Sequence, residues 1–192
     1  VSDRQMLILK AAVRMIAKKG VRGLRVEELA AEAGVSTALI YYHFGDRAGL
    51  LRRTLEYVSE RAERYTAEAM ERSDDARTQL TDMLLLELQD DPAIIENSSA
   101  WGELRASAIF DPDLRAQLGD STRTWVDDLS ELIDQARSDG TAHEDTDARA
   151  SAERLTALIE GLSNRWLSGS TPLGRAQDLV RQAVSLELDS KR

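Results

Sequence analysis

The sequence predicts an all-α chain, with a three-helix head that carries a helix-turn-helix and a larger helical body behind it. Three observations carry that prediction. Proline is confined to Pro92, Pro112 and Pro172, and the glycines fall where helices would end. No stretch alternates polar and apolar residues for long, whereas apolar residues recur three and four apart. Near the start, two short helical patterns are separated only by Gly34-Val35-Ser36.

The first helix is predicted from about Asp3 to Lys19, with Ile8, Leu9, Ala12, Met15 and Ile16 on one stripe and Gly20 as its stop. The second runs from about Val26 to Ala33, buries Val26, Leu29 and Ala30, and ends at Gly34. Ser36 has the chemistry to cap a third, from Thr37 to about Phe44. Gly34 can take the positive φ that a sharp turn needs, and Val35 can plug the angle between the helices. Ile40 and Phe44, four apart, pack inward and leave Thr37, Ala38, Tyr41, Tyr42 and His43 pointing outward. Small exposed residues followed by exposed aromatics suit a helix that enters a major groove. Any compact three-helix unit can show the same turn, with Tyr and His merely covering a core, and spacing alone leaves that alternative open.

A long helix follows from about Asp46 to Met70, with Ser73-Asp74-Asp75 as its end. Further helices are predicted over Ala76 to Gln89, Ala93 to Ile109, Pro112 to about Arg137, Asp147 to Leu167 and Pro172 to Leu188. The loop from Ser138 to Asp147 is acidic and holds one of the two histidines. Its Asp139, His143, Glu144, Asp145 and Asp147 lack the spacing of a calcium loop, so a solvated turn without metal is expected.

Charge is distributed unevenly. The net charge is -9, yet the first 53 residues hold ten Lys or Arg against five Asp or Glu, which leaves fifteen against twenty-nine for the rest. The head attracts a polyanion and the body repels it, which orients an encounter. An ordinary basic helix surface explains the same count. There are no cysteines, so disulfides and thiolate metal sites are excluded. No apolar run approaches the roughly 20 residues that span a bilayer, and the opening residues lack a signal-peptide layout. A soluble, cytoplasmic chain without a membrane partner is expected.

The stretches "ILKAAVRMIAKKG" and "VEELAAEAGVSTALIYYHFGDRAGLL" resemble the DNA-binding domain of TetR-family transcriptional regulators. The resemblance spans about 50 contiguous residues; the remaining 140 or so match only in being helical and of the usual length. It implies an all-α homodimer with a DNA-binding domain over residues 1–46 and a ligand-binding and dimerisation domain over 47–192. It also implies that Thr37, Ala38 and Tyr42 face base edges, while Ser36, Tyr41, His43 and Arg47 touch the phosphate backbone. The chemistry agrees, since a hydroxyl bonds several base edges, an alanine or ring meets a thymine methyl, and Arg47 supplies charge behind the capping Asp46. Three positions depart from the family pattern. Arg47 stands where lysine is usual, Arg25 replaces the usual Ser or Thr cap of the second helix, and Leu39 replaces a common hydroxyl.

The last two helices carry more apolar surface than one contact needs. Leu155, Leu158, Ile159, Leu162 and Trp166 form a broad stripe on one, and Leu173, Ala176, Leu179, Val180, Ala183, Val184 and Leu186 occupy more than one face of the other. The resemblance implies a twofold four-helix interface, with Leu155, Ile159, Leu162, Ala176, Leu179, Val180 and Ala183 in it. A thick monomeric core is the alternative. A cavity for an effector with an apolar part is expected among Met83, Leu86, Trp101, Leu104, Phe110, Trp125 and Trp166, with Asn97, Glu103, Arg105 or Asn164 as polar contacts; plain core is the alternative for each.

An enzyme has little to work with here. There is no Gly-rich phosphate loop, no carboxylate-histidine cluster at metal spacing, and no sign of a cofactor. The expected function is therefore a ligand-responsive regulator, more a repressor of a palindromic double-stranded DNA operator than an activator. A helical protein-binding module without ligand response is the remaining alternative, and it leaves the basic head and the outward Tyr-Tyr-His unexplained.

Overall fold

The computed structural model describes residues 2–70, 73 and 75–189, and their side chains except at 65, 66 and 68–70. Among the described residues there is no strand, and the α-helices are α1 (Asp3–Lys19), α2 (Val26–Ala33), α3 (Thr37–Phe44), α4 (Arg47–Met70), α5 (Ala76–Leu86), α6 (Pro92–Ala108), α7 (Pro112–Ser138), α8 (Ala148–Leu167) and α9 (Leu173–Asp189). A short 3-10 helix over Val21–Gly23, which the periodicity did not predict, joins α1 to α2.

Local chemistry accounts for the ends. Ser2 and Gln5 form a reciprocal capping box at the start of α1, and Gly20 stops it with φ +73°. The N-terminus of α2 has no side-chain cap, as the arginine at position 25 implied. Asp75, expected as part of the end of α4, instead caps α5 through the Thr78 amide at 2.7 Å; Asp74 lies outside the described residues. Asp147 caps α8 in the same way through Ala150.

The chain forms two compact units, Val1–Ala62 with Glu96–Asp120, and Glu63–Ile95 with Ser121–Arg192. The first is larger than the 46-residue head. Ile8, Leu9, Met15 and Ile16 of α1 pack with Leu29, Ile40 and Phe44, but the cluster also takes in Leu50, Leu55 and Val58 of α4, Leu104 of α6 and Leu114 of α7. So short a head buries too little apolar surface to close a core alone, which is why later helices complete it. Arg52 pairs with Asp113 at 3.0 Å and Arg61 with Glu96 at 3.0 Å within this unit.

The second unit packs Leu80, Met83 and Leu84 of α5 with Leu129 and Ile133 of α7, Leu155, Ile159 and Leu162 of α8, and Val180 and Val184 of α9. Polar ties hold its last helix. Arg77 grips the Asp189 carboxylate at 2.5 and 2.8 Å, Arg154 grips Glu187 at 2.6 and 2.5 Å, and Gln177 donates to the Leu88 carbonyl at 2.8 Å. The acidic loop is also tied down, since the His143 amide donates to the Leu188 carbonyl at 2.7 Å.

Candidate nucleic-acid interface

The turn between α2 and α3 is built as its residues require. Gly34 sits in the left-handed region at φ +66°, and the Val35 amide reaches back to the Ala30 carbonyl at 3.0 Å. Val35 is half-buried and packs against the first core, so an apolar contact helps to set the angle between the helices. The Ser36 hydroxyl then accepts the Leu39 amide at 3.2 Å and starts α3.

This short helix has two sharply different faces. Ile40 and Phe44 are buried, whereas Ser36, Ala38, Tyr41 and Tyr42 are exposed and Thr37 and His43 are half-buried. Tyr42 is 81% exposed, and its ring meets His43 edge-on at 5.2 Å. A large aromatic held out on a capped, core-anchored helix is surface available to a partner.

The start of α4 is equally defined. Asp46 Oδ1 accepts the Gly49 amide at 2.7 Å, so the expected cap is present. A Cβ added at Gly49 would fall on the Phe44 carbonyl oxygen, which explains a glycine in the first turn of a helix. Arg47 is exposed, and its Nη2 donates to the Val21 carbonyl at 2.6 Å. Sequence reasoning missed this tether. On the far side of the same residue, the Val21 amide donates to Glu103 Oε2 at 3.0 Å, so Glu103, expected as an effector contact, is engaged with the head.

Several basic side chains of the head are paired internally. Arg14 bonds Glu32 at 2.9 Å and Lys19 bonds Glu28 at 2.5 Å, tying α1 to α2. The hydrogen bond from Lys19 holds the Glu28 carboxyl below its usual range, with help from the charges of Lys19 and Arg25. The excess of positive charge thus partly serves the packing of the head.

The residues expected around an effector divide between the units, with Trp101, Leu104, Arg105 and Phe110 in the first and Met83, Leu86, Trp125 and Trp166 in the second. Leu104 and Met83 are buried in the respective cores. Phe110 is 80% exposed in the turn after α6, so it lines no cavity within its unit. Arg105 stands over the Trp101 ring at 5.7 Å. Asn164 donates to the Glu160 carbonyl of its own helix at 3.0 Å, and buried Asn97 donates to the Val58 carbonyl at 3.3 Å.

The residues expected at an interface differ in their exposure. Leu155, Ile159, Leu162, Ala176 and Val180 are at most 2% exposed in the single chain, so their apolar surface already lies inside the second core. Leu179 and Ala183 are only partly buried, and Leu186 is exposed. These three lie four and three residues apart and form one stripe along α9.

Residues 8–54 match the model of "Bacterial regulatory proteins, tetR family", and residues 76–189 match that of "BetI-type transcriptional repressor, C-terminal". The HTH-type transcriptional regulator BetI of Agrobacterium fabrum is 28% identical over 189 residues, which covers 97% of this chain and 89% of that protein. A Rhodococcus sp. crystal structure assigned to the TetR-family transcriptional regulators is 44% identical, with a TM-score of 0.90, covering 98% of this chain and all (100%) of the other. A transcriptional regulator from Saccharomonospora viridis in complex with choline is 25% identical, with a TM-score of 0.88 and 98% of each chain covered. Among the described residues no helix is long and apolar enough to cross a membrane. The capped turn, the outward face of α3 and a helical C-terminal region of BetI type together make this chain a member of the TetR family of bacterial transcriptional regulators.

Proposed function

We propose that this chain is a ligand-responsive repressor that binds a palindromic operator as a homodimer and is released by a small organic cation. The observation that carries the DNA reading is the outward face of α3, where Thr37, Ala38 and Tyr42 stand on a helix capped by Ser36 and anchored by Ile40 and Phe44. Thr37, Ala38 and Tyr42 meet base edges, and Ser36, Tyr41, His43 and Arg47 meet phosphates on either side. Two such heads joined by a twofold interface read two half-sites, which is why the operator is a palindrome. The stripe Leu179, Ala183 and Leu186 supplies the apolar surface for that interface.

The effector class rests on chemistry that the choline-bound neighbour supports. A quaternary ammonium presents apolar methyl groups around a positive charge and is bound over the faces of aromatic rings. Trp101 already holds the guanidinium of Arg105, which leaves Trp125 and Trp166, both half-buried against the second core, as the favoured rings.

The test begins with selection of duplexes from a random pool by the unmodified protein, followed by titration with choline. A palindromic consensus, a choline-dependent tryptophan signal and release of the duplex at the same concentrations are expected. An unrelated, non-palindromic pool after selection would remove the operator reading. Saturating choline that leaves the complex intact would remove the effector reading.

A further inference from the structure

Within the first unit, the short 3-10 helix is held from two sides. Glu103 of α6 accepts the Val21 amide at 3.0 Å, and Arg47 of α4 donates to the Val21 carbonyl at 2.6 Å. These groups belong to the two successive peptide units that flank the Val21 Cα. Val21 is only 5% exposed, so its backbone groups have little access to water and need partners within the protein. Its carbonyl also accepts the Leu24 amide at 3.2 Å, which closes the 3-10 turn.

The approach of Glu103 is built into the backbone. Gly20 has φ +73°, a conformation that calls for glycine, and a Cβ there would lie 2.7 Å from Glu103 Oε2, so any larger residue would push the carboxylate from its place. The guanidinium of Arg47 uses Nη2 on Val21, and a guanidinium has five N–H donors in a fixed plane. Fixing one edge of that plane fixes the direction of the others.

We propose that Glu103 is a positioning residue for DNA binding: by holding the Val21 backbone from α6, it sets the orientation in which the Arg47 guanidinium meets a phosphate. This rests on the reading of Arg47 as a phosphate contact. Without the Glu103 acceptor, the Val21 amide is a buried donor without that partner, and the 3-10 turn that orients Arg47 relaxes. The sign of the effect separates this role from simple electrostatics. Glu103 is an exposed anion, so removing its charge would by Coulomb attraction alone strengthen binding to a polyanion. Loss of positioning weakens it.

The experiment measures binding of the full chain to a fluorescein-labelled mixed-sequence duplex across a salt series, with far-UV dichroism and thermal midpoints for every variant. Arg47→Ala should weaken binding roughly 5- to 10-fold and flatten the salt slope by about one. Glu103→Ala should weaken binding roughly 3-fold or more at unchanged helix content, despite the lost negative charge. Glu103→Asp keeps the charge, falls one methylene short of Val21 and should behave like Glu103→Ala, which covers the case in which the alanine variant folds poorly. Glu103→Gln keeps an acceptor oxygen and should bind as well as the unmodified chain or better. In an Arg47→Ala background, Glu103→Ala should cost nothing further. If Arg47→Ala weakens binding but Glu103→Ala and Glu103→Asp do not, the positioning role is overturned while the phosphate contact stands. An equal loss from Glu103→Ala with and without Arg47 also overturns it, since the effect then passes through something else. No effect of Arg47→Ala removes the contact and the proposal together.

Discussion

Tyr42 keeps four fifths of its surface open (81%), while Ile40 and Phe44 on the opposite face of the same helix are buried. That contrast assigns opposite consequences to substitution. Tyr42→Ala and Thr37→Ala should each change stability by less than about 0.5 kcal/mol. They should alter preference among duplex sequences by about 1–3 kcal/mol where a base contact is lost. Ile40→Ala should cost about 2–5 kcal/mol of stability. Denaturant titration and competition between duplexes read the two quantities separately, and an unchanged ranking of duplexes for Tyr42→Ala would show that it touches no base. Gly49 is decided by magnitude. Alanine is favoured over glycine in a helix by about 1 kcal/mol. The added Cβ, however, falls on the Phe44 carbonyl oxygen, a backbone atom that cannot swing aside. Gly49→Ala should therefore lower stability by about 1–3 kcal/mol, as overpacking does. A raised denaturation midpoint would sink this account of the α3–α4 turn.

Helix α9 divides its apolar residues between two jobs. Ala176, Val180, Val184 and Leu188 are buried against the chain itself, and Leu179, Ala183 and Leu186 lie on an adjoining face that is half-buried or open. Leu179→Glu with Ala183→Glu should leave the helical fold in place, turn a dimer into monomers in light scattering, and abolish tight binding to a palindrome, since two half-sites are held only when both heads are linked. Val180→Glu should instead unfold the chain, because it places a charge in the core. A monomer for the unmodified chain at micromolar concentration would rule out the interface. The end of α9 should also respond to acid. The hydrogen bond from Arg77, and then its charge, hold the Asp189 carboxyl below the ordinary range. A depressed carboxyl contributes stability that is present above its unfolded value, about pH 4, and lost as pH falls through the folded value. The carboxylate is largely exposed, so the effect is screened and local. Protection of the amides from Leu186 to Leu188, taken relative to the intrinsic exchange rate at each pH, should fall below about pH 4 before the cores of either unit open; protection there that stays constant across that range would show that the pair anchors nothing.

For the whole molecule, the measurable signature is salt. A body with fifteen Lys or Arg against twenty-nine Asp or Glu repels a duplex, so affinity depends on the few cations of the head and should fall steeply with ionic strength. Choline should weaken the operator complex roughly 5- to 150-fold, the range that a coupling of about 1–3 kcal/mol allows, and the duplex should weaken choline binding by the same factor. Unequal factors in the two titrations would exclude a simple two-site coupling. Much of this architecture was legible in the residues alone. Most helix bounds, the Gly34-Val35-Ser36 turn, the cap at Asp46 and the outward face of α3 follow from side chains within about four positions of one another, the range over which capping, glycine conformation and helical spacing act; α5, expected to reach Gln89, ends at Leu86. Other features depend on partners distant along the chain. Leu155, Ile159, Leu162, Ala176 and Val180 read from their periodicity only as part of a wide apolar arc, which the family resemblance assigned to an interface, and only the packing of α5 and α7 into the same core decided that the chain buries them itself. Local pattern reports how wide an apolar arc is, but not what covers it. In the same way the sequence determined that Arg47 is a cation at the start of α4. Only the tertiary structure decided that it leans on Val21, whose amide is held by a carboxylate 82 residues further on, because burial leaves that backbone no water to bond and the fold must bring it a partner.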